Sequence, residues 1–511
     1  MAITEPIASQ GPRRRLRLRS PVSLEPIGEI ECASGEDVKA AVERARKAQP
    51  GWAEFSFEDR AACLRRVSQH LLEKADAVVD QVVEETGKAR NEALAMEVFA
   101  SLDALAYYAK NARRFLRPER RRIHGLLGFA KQLRIAYRPL GVVGIITPWN
   151  GPFVLAMNQS AQALMAGNSV VVKGSEVTPY STRLVQDFFD EAGLPEGVLQ
   201  VLLGDGETGA ALVESGVDKI SFTGSVATGR RVAEACGRRL IPATLELGGK
   251  DAMIVCADAN LDRAAAGALL GACMNSGHVC TAVERIYAVE EVYDAFVAKV
   301  VDGASKLRQG DSGEFDVGAI FWDRQLAVIE RHVADARAKG ARVLVGGRRN
   351  PDLKGLFYEP TVLVDVDHGM DIMREETFGP ILCIQKVRDE EDAIRLANDS
   401  RYGLSGSVWT RDKSRGCEIA GRLQTGSVCV NDPALTYGVP EAPFGGLKES
   451  GIGQVNGARG IRAYCHEFPV LVDRFGGRRI PGGYPYRMKA VEGMKRFLKL
   501  YFGTPLARWL S

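Results

Sequence analysis

The sequence predicts an α/β fold, and three observations carry the prediction. Short β-rich runs at 169–173, 198–203 and 219–222 alternate with helical stretches, at a spacing of 20 to 35 residues. A parallel strand is regained only through a crossover of that length. A second alternation follows Leu247, with strand candidates at 252–255, 284–289, 343–345, 381–386 and 406–409. Residues 35–115, by contrast, are mostly helical in pattern.

In chain order, Ser34 followed by Asp37 gives the first helix a capping signal. Apolar residues then recur at helical spacing through 'AACLRRVSQHLLEKADAVVDQVVEETGK'. The rhythm changes at 'LRIAYRPLGVVGIITP', residues 133–148, which reads as strands broken at Pro139. Gly, Pro and Arg thicken near the termini and over 117–128, where linkers or projecting loops are expected.

A chain of 511 residues with 46% hydrophobic content accommodates two or three domains. The ten cysteines form no CxxC pair and the six histidines are scattered, which argues against a disulfide framework and a zinc site. A reduced, metal-free, cytoplasmic protein is expected. The basic cluster Arg13, Arg14, Arg15, Arg17 and Arg19 precedes no apolar run, so it does not read as a signal peptide, and no segment reads as a membrane span. A net charge of +3 points to no nucleic-acid partner. The charge is uneven, however: residues 113–122 hold six arginines, and from Arg474 onward nine cations face Glu492 alone. Solvated surface and contact with phosphate or anionic lipid are the two readings of these patches.

Several short stretches carry chemistry. In 'SFTGSVATGRRV', Gly224, Ser225 and Gly229 lie where a strand gives way to a helix, and backbone there can approach a phosphate; a plain strand-to-helix turn fits as well. 'VVKGSE' offers Lys173 for a charged or hydroxyl group of a nucleotide and Glu176 for ribose hydroxyls. In 'TLELGGK' the Glu246 carboxylate has apolar neighbours, so it either becomes a base nearer neutral pH or is a structural ion-pair partner. Cys280 offers a nucleophile, and Asn150 in 'TPWN' an amide for the oxyanion its attack would create.

In this order the stretches resemble the aldehyde dehydrogenase superfamily over nearly the whole chain. The resemblance rests on 'TPWN', 'VVKGSE', 'FTGS', 'LELGGK', 'NSGHVC', 'EETFGP' and 'PFGGLKESG', between residues 147 and 451. It implies that Cys280 is the catalytic nucleophile, Glu246 the general base and Asn150 the oxyanion amide. It implies cofactor contacts at Ile146, Trp149, Lys173, Glu176, Gly224, Ser225, Glu376 and Phe378. It further implies a Rossmann-type nucleotide-binding domain (1–128 and 139–246), an α/β catalytic domain (247–455), and a small β oligomerisation extension (129–138 and 456–474) joining a neighbour's sheet in a homodimer or tetramer. Residues 475–511 remain as a basic tail.

The implied activity is oxidation of an aldehyde to its carboxylic acid through a cysteine-bound thioester, with NAD preferred, NADP tolerated and no metal. An apolar medium- or long-chain or aromatic aldehyde is slightly favoured as substrate. The alternatives are a succinate-semialdehyde dehydrogenase, a CoA-acylating dehydrogenase, which usually lacks the base at Glu246, and a non-catalytic membrane-associated binding or structural protein. Four positions depart from the family pattern: His278 replaces a usual glutamine, Gly174 a usual proline, Gly151 a frequent aromatic and Asn158 a frequent tryptophan. His278 either influences the thiolate or fills the same hydrogen-bonding space.

The tail 484–511 predicts a basic amphipathic helix of about four turns ending before Gly503, with Met488, Val491, Met494, Leu498 and Tyr501 on one side and Trp509 beyond it as an interface residue. Packing of that stripe on the protein, within a protomer or across a dimer, is the expectation. Peripheral contact with an anionic membrane at its inner face, shared with 113–122, is the alternative.

Overall fold

The computed structural model describes residues 2–7, 13–476, 484 and 486–505, and Trp509 lies outside them. The chain divides into two compact units, Met1–Ala112 with Pro139–Tyr464, and Arg113–Arg138 with Cys465–Ser511.

In the first unit the expected strands appear within one or two residues of their predicted bounds. A six-stranded sheet runs in the order Gly451–Ile452, Ala243–Glu246, Lys219–Thr223, Val142–Ile146, Ser169–Lys173, Leu199–Leu202, parallel except at Gly451–Ile452. Val142–Ile146, earliest in the chain, is central. The next two strands extend the sheet one way, and Lys219–Thr223 returns to its other side. That reversal leaves a crevice beyond the carboxyl ends of Val142–Ile146 and Lys219–Thr223, the place where open α/β sheets take ligands.

A seven-stranded sheet runs Arg342–Val345, Thr361–Val364, Ile381–Val387, Val283–Val289, Asp251–Val255, Gly406–Trp409, Cys429–Val430. Only the pairing of Arg342–Val345 is antiparallel. Residues 251–255 and 283–289 are buried throughout and rich in Val, Ile and Ala, as strands covered on both faces must be. Ser34 does cap its helix, Gly35–Glu54, with Asp37 returning the bond to the Ser34 N–H.

The N-terminal basic cluster has a structure its charge obscured. Thr4–Ile7, Arg15–Arg19 and Pro26–Glu31 form an antiparallel three-stranded sheet. 'RLRLR' alternates with period two: Leu16 and Leu18 are buried, and the arginines meet carboxylates. Arg15 and Arg17 pair with Glu29, Arg13 with Glu31, Arg19 with Glu5 and Arg14 with Asp205. The sheet is tied to both larger ones. Ala33 donates to Leu203 O beyond the six-stranded sheet (2.8 Å), Leu356 N to Pro21 O (2.8 Å), and Ile3 N to Asp323 Oδ1 (2.8 Å).

In the second unit Cys465–Asp473 lies beside Lys131–Pro139, which pairs antiparallel with Glu119–Arg121. Over 117–128 the expected loop is interrupted by the short strand Glu119–Arg121 and by the start of the one-turn helix Leu127–Ala130. Met488–Phe502 is a helix of the expected length. Its stripe is not packed away as expected within a protomer, since Met488, Val491, Met494 and Leu498 are all exposed and Tyr501 alone is buried.

Candidate functional site

Glu246 ends a strand of the six-stranded sheet and Asp251 begins one of the seven-stranded sheet, so 'LGGK' is the bridge between them. The bridge lies against the nucleophile candidate: a Cβ on Gly249 would stand 2.6 Å from the Cys280 carbonyl oxygen. Cys280 follows the helix Leu261–Cys273 and a turn in which Asn275 and Ser276 both adopt positive φ, 55° and 56°. Two consecutive left-handed residues without glycine are costly, by about 1–3 kcal/mol each. Gly277, at φ 78°, packs so tightly on Gly379 that a Cβ would stand 2.1 Å from its carbonyl carbon. The turn is thus pressed against 'EETFGP'.

Hydrogen bonds gather Asn150 into this turn. Its Nδ2 donates to His278 O (2.9 Å), and its own backbone oxygen accepts from Asn275 Nδ2 (3.0 Å) and Lys88 Nζ (3.1 Å). Asn275 Nδ2 also donates to His278 O (2.9 Å), and Glu92 Oε1 accepts from Asn275 N (2.8 Å). Lys88 in turn reaches Glu97 (2.7 Å), both wholly buried. Glu97 Oε2 accepts from the N–H groups of Phe153 (3.2 Å) and Val154 (2.9 Å), which open the helix Pro152–Met165 immediately after Asn150. Lys88, Glu97 and Asn275 were not among the sequence candidates; in a sequence a buried ion pair looks like two surface charges. Lys88→Met is expected to cost about 3–5 kcal/mol by stranding Glu97, and to lower kcat with the fixing of Asn150. Urea denaturation and steady-state kinetics check it, and an unchanged unfolding midpoint contradicts it.

His278 fills hydrogen-bonding space. Its Nδ1 lies 2.9 Å from Ser276 O, which can only accept, and its Nε2 receives the Phe321 N–H (3.4 Å). The ring is therefore the neutral Nδ1–H tautomer. Burial, helped by nearby Lys88, holds its pKa well below 6.5. It stacks on Phe321 (4.6 Å between centroids) and meets the edge of Trp149 (4.9 Å).

Glu246 is 6% exposed and neither carboxyl oxygen has a protein hydrogen-bond partner. Burial alone pushes its pKa well above 4.5. Cys280 keeps partial solvent contact, yet dense surroundings push its thiol up, followed by the carboxyls of Asp251, Glu246 and Glu376. At rest the sulfur is a thiol within electrostatic reach of the Glu246 carboxyl, which has no protein hydrogen-bond partner of its own. Leu404, Phe444, Val455 and Tyr437 pack with Cys280 in one cluster, apolar companions that single-residue reading did not pick out, although Phe444 stands in 'PFGGLKESG'.

Of the candidate cofactor residues, Ile146 and Lys173 end strands of the six-stranded sheet, and Gly224 and Ser225 follow a third, Lys219–Thr223. Ile146 ends the central strand, and Trp149 meets Phe378 at 5.4 Å between ring centroids. Phe378 has φ 51°, held there by Glu284, which accepts from Thr377 N (2.8 Å) and Phe378 N (2.7 Å) and is itself paired with buried Lys250. Glu376 of the same loop accepts from Gly249 N (3.0 Å), and burial raises its carboxyl to about 8. Lys173 ends the next strand with Nζ 3.5 Å from the Glu176 carboxylate, and burial lowers its pKa. Among the phosphate candidates the Gly224 N–H donates to Glu246 O (3.0 Å), continuing the pairing of the two strands, and Gly229 has Leu247 packed against it, where a Cβ would come within 2.5 Å. Ser225 is the cap of the helix Val226–Arg239, its hydroxyl accepting from Thr228 N (3.3 Å).

The model of the aldehyde dehydrogenase family matches residues 7–467. The chain belongs to the aldehyde dehydrogenase family. Membership gives it the family's general activity, NAD(P)-dependent aldehyde oxidation. Among its relatives, 4,4'-diapolycopene aldehyde oxidase of a Methylomonas species is 39% identical over 485 residues, 95% of this chain and 91% of that one. A putative succinate-semialdehyde dehydrogenase [NADP(+)] of Mycolicibacterium smegmatis is 43% identical over 449 residues, 87% of this chain and 86% of that one. A crystal structure of Mycobacterium tuberculosis aldehyde dehydrogenase complexed with NAD+ superposes with a TM-score of 0.87 at 37% identity, covering 92% of this chain and 97% of that one.

Proposed function

We propose that this aldehyde dehydrogenase oxidises an apolar medium- or long-chain or aromatic aldehyde, with NAD as preferred acceptor, working as a homodimer or tetramer. The observation that carries the reading is the buried Glu246 carboxyl, without a protein hydrogen-bond partner and within electrostatic reach of Cys280, which itself packs in an apolar cluster. Cys280, which keeps partial solvent contact, gives up its proton to solvent and attacks the aldehyde carbon as thiolate, forming the S–C bond. Asn150 Nδ2 and the Cys280 N–H donate to the oxygen that gains charge. Ile146, Trp149, Lys173, Glu176, Gly224, Ser225, Glu376 and Phe378 would hold the dinucleotide, which when bound would supply the hydride acceptor that no side chain can provide. The Glu246 carboxylate takes a proton from the water that attacks the thioester carbon, and as the C–S bond breaks to release the acid it passes that proton to the sulfur, restoring the thiol. An intact Glu246 argues against the CoA-acylating alternative, which would deliver the acyl group to a thiol.

Two features support the finer preferences. Around Cys280 the clustered side chains are Leu404, Phe444, Val455 and Tyr437; none offers the cation that the distal carboxylate of a succinate semialdehyde wants. At the end of Ser169–Lys173, Glu176 can accept from ribose hydroxyls but repels a 2′-phosphate, while Lys173 acts in the opposite sense, its charge penalised by burial. Initial NADH and NADPH formation over short dicarboxylic semialdehydes, aromatic aldehydes and alkanals of increasing length tests both. Higher kcat/KM for apolar aldehydes and for NAD is expected, by about tenfold, the weight of one missing polar contact. Succinic semialdehyde leading the panel, or NADP outperforming NAD, would reverse the corresponding preference. The strand Cys465–Asp473 at the end of its three-stranded sheet is exposed along most of its length, which supports assembly by strand addition.

A further inference from the structure

The second unit presents an apolar surface framed by cations. On the helix Met488–Phe502 the 100° step per residue sets Val491, Met494, Phe497, Leu498, Tyr501 and Phe502 on one side and Lys489, Lys495, Arg496 and Lys499 on the other. The one acid, Glu492, is tied to Lys495 (3.0 Å). The apolar side is open: Met494 is 55% exposed, Leu498 44% and Phe502 69%. Tyr501 alone is buried, set close to Gly125, where a Cβ would stand 2.7 Å from its hydroxyl. That contact puts the one-turn helix Leu127–Ala130 near the amphipathic helix, and Leu127 and Phe129 are also exposed, at 64% and 61%. The same unit carries Arg113, Arg114, Arg117, Arg120, Arg121 and Arg122, every one of them exposed.

We propose that this surface seats the protein peripherally on an anionic lipid bilayer, with the apolar side of Met488–Phe502 in the interface and the flanking lysines and arginines at the headgroups. The charge decides between occupants. A second copy applied through a two-fold axis would bring the same cations face to face, which is repulsive. Anionic lipid complements them, at about 1 kcal/mol for each cation near the surface. Crossing the bilayer is not at issue, because no described helix is long and apolar enough to do so. The proposal does not depend on which aldehyde is oxidised.

The full chain is mixed with vesicles of phosphatidylglycerol and phosphatidylcholine, or of phosphatidylcholine alone, and sedimented. The bound fraction is expected to be at least tenfold higher on the anionic vesicles and to fall steeply as salt rises. Two variants separate the contributions: K489E/K495E/R496E/K499E removes the charge, and V491S/M494S/L498S the apolar side. Each is expected to lose vesicle binding while keeping the native oligomer mass and turnover of a water-soluble aldehyde. Equal sedimentation with both vesicle types, or wild-type binding by the charge-reversed variant, overturns the proposal. Loss of native oligomer mass in the serine variant, with no vesicle binding by the wild type, overturns it in favour of a second copy covering the helix.

Discussion

Cys280→Ala is expected to lower steady-state NADH formation by at least on the order of 10³-fold while leaving dinucleotide binding intact. Of the ten cysteines, Cys280 is the one set behind a doubly left-handed turn, against the Gly248–Gly249 bridge and within the electrostatic reach of Glu246. Removing its sulfur eliminates the covalent step and disturbs little else, because alanine keeps the Cβ and the backbone N–H. Absorbance at the NADH band measures the first quantity and titration calorimetry with NAD the second. A variant within tenfold of the native rate would eliminate the proposed nucleophile.

The second large effect belongs to Glu246→Gln, which is expected to slow turnover by about 10²–10³-fold while a burst of NADH equal to the enzyme concentration persists. Its pH signature follows from burial. Since the folded-state pKa lies well above 4.5, the carboxylate that must accept a proton grows as pH rises through that raised value, and native turnover climbs on the alkaline side. The glutamine variant has no such group, so that limb flattens. Stability moves the other way. A carboxyl raised on folding contributes fully below pH 4.5, and the contribution is lost as pH rises through the folded value, so Glu246→Gln is expected to be the more heat-resistant protein at alkaline pH. His278 adds no second limb, being held neutral well below 6.5. Stopped-flow bursts, pH profiles and melting curves check the three statements, and loss of the burst along with turnover would place Glu246 in acylation.

Much of this was legible in the sequence because its signals are local. Strand positions follow from β-branched runs between turn residues, and Cys280, Glu246 and Asn150 each sit in a short stretch whose composition suits the chemistry. What stayed hidden depends on partners distant in the chain. Lys88 and Glu97 read as surface charges until a helix start and the Asn150 backbone close around them. Leu247, which packs against Gly229 and leaves no room for a side chain there, lies well beyond 'SFTGSVATGRRV' in the chain. 'RLRLR' does alternate, but its five-residue signal was outweighed by its charge, and the carboxylates that neutralise it lie on neighbouring strands and loops.

That N-terminal sheet sets the timetable of the protein's birth. Ile3, buried at 1% exposure, is fastened to Asp323, which is made 320 residues later. At about 5–20 residues per second of synthesis, roughly 16 to 64 s separate the two. Throughout that interval Ile3 and the Pro21 carbonyl lack their final partners, and the unfinished sheet is suited to capture by a chaperone. Reordering the chain by circular permutation, so that residues 2–33 are made close in time to 323–356, is therefore a change that should spare the finished enzyme and shorten its maturation.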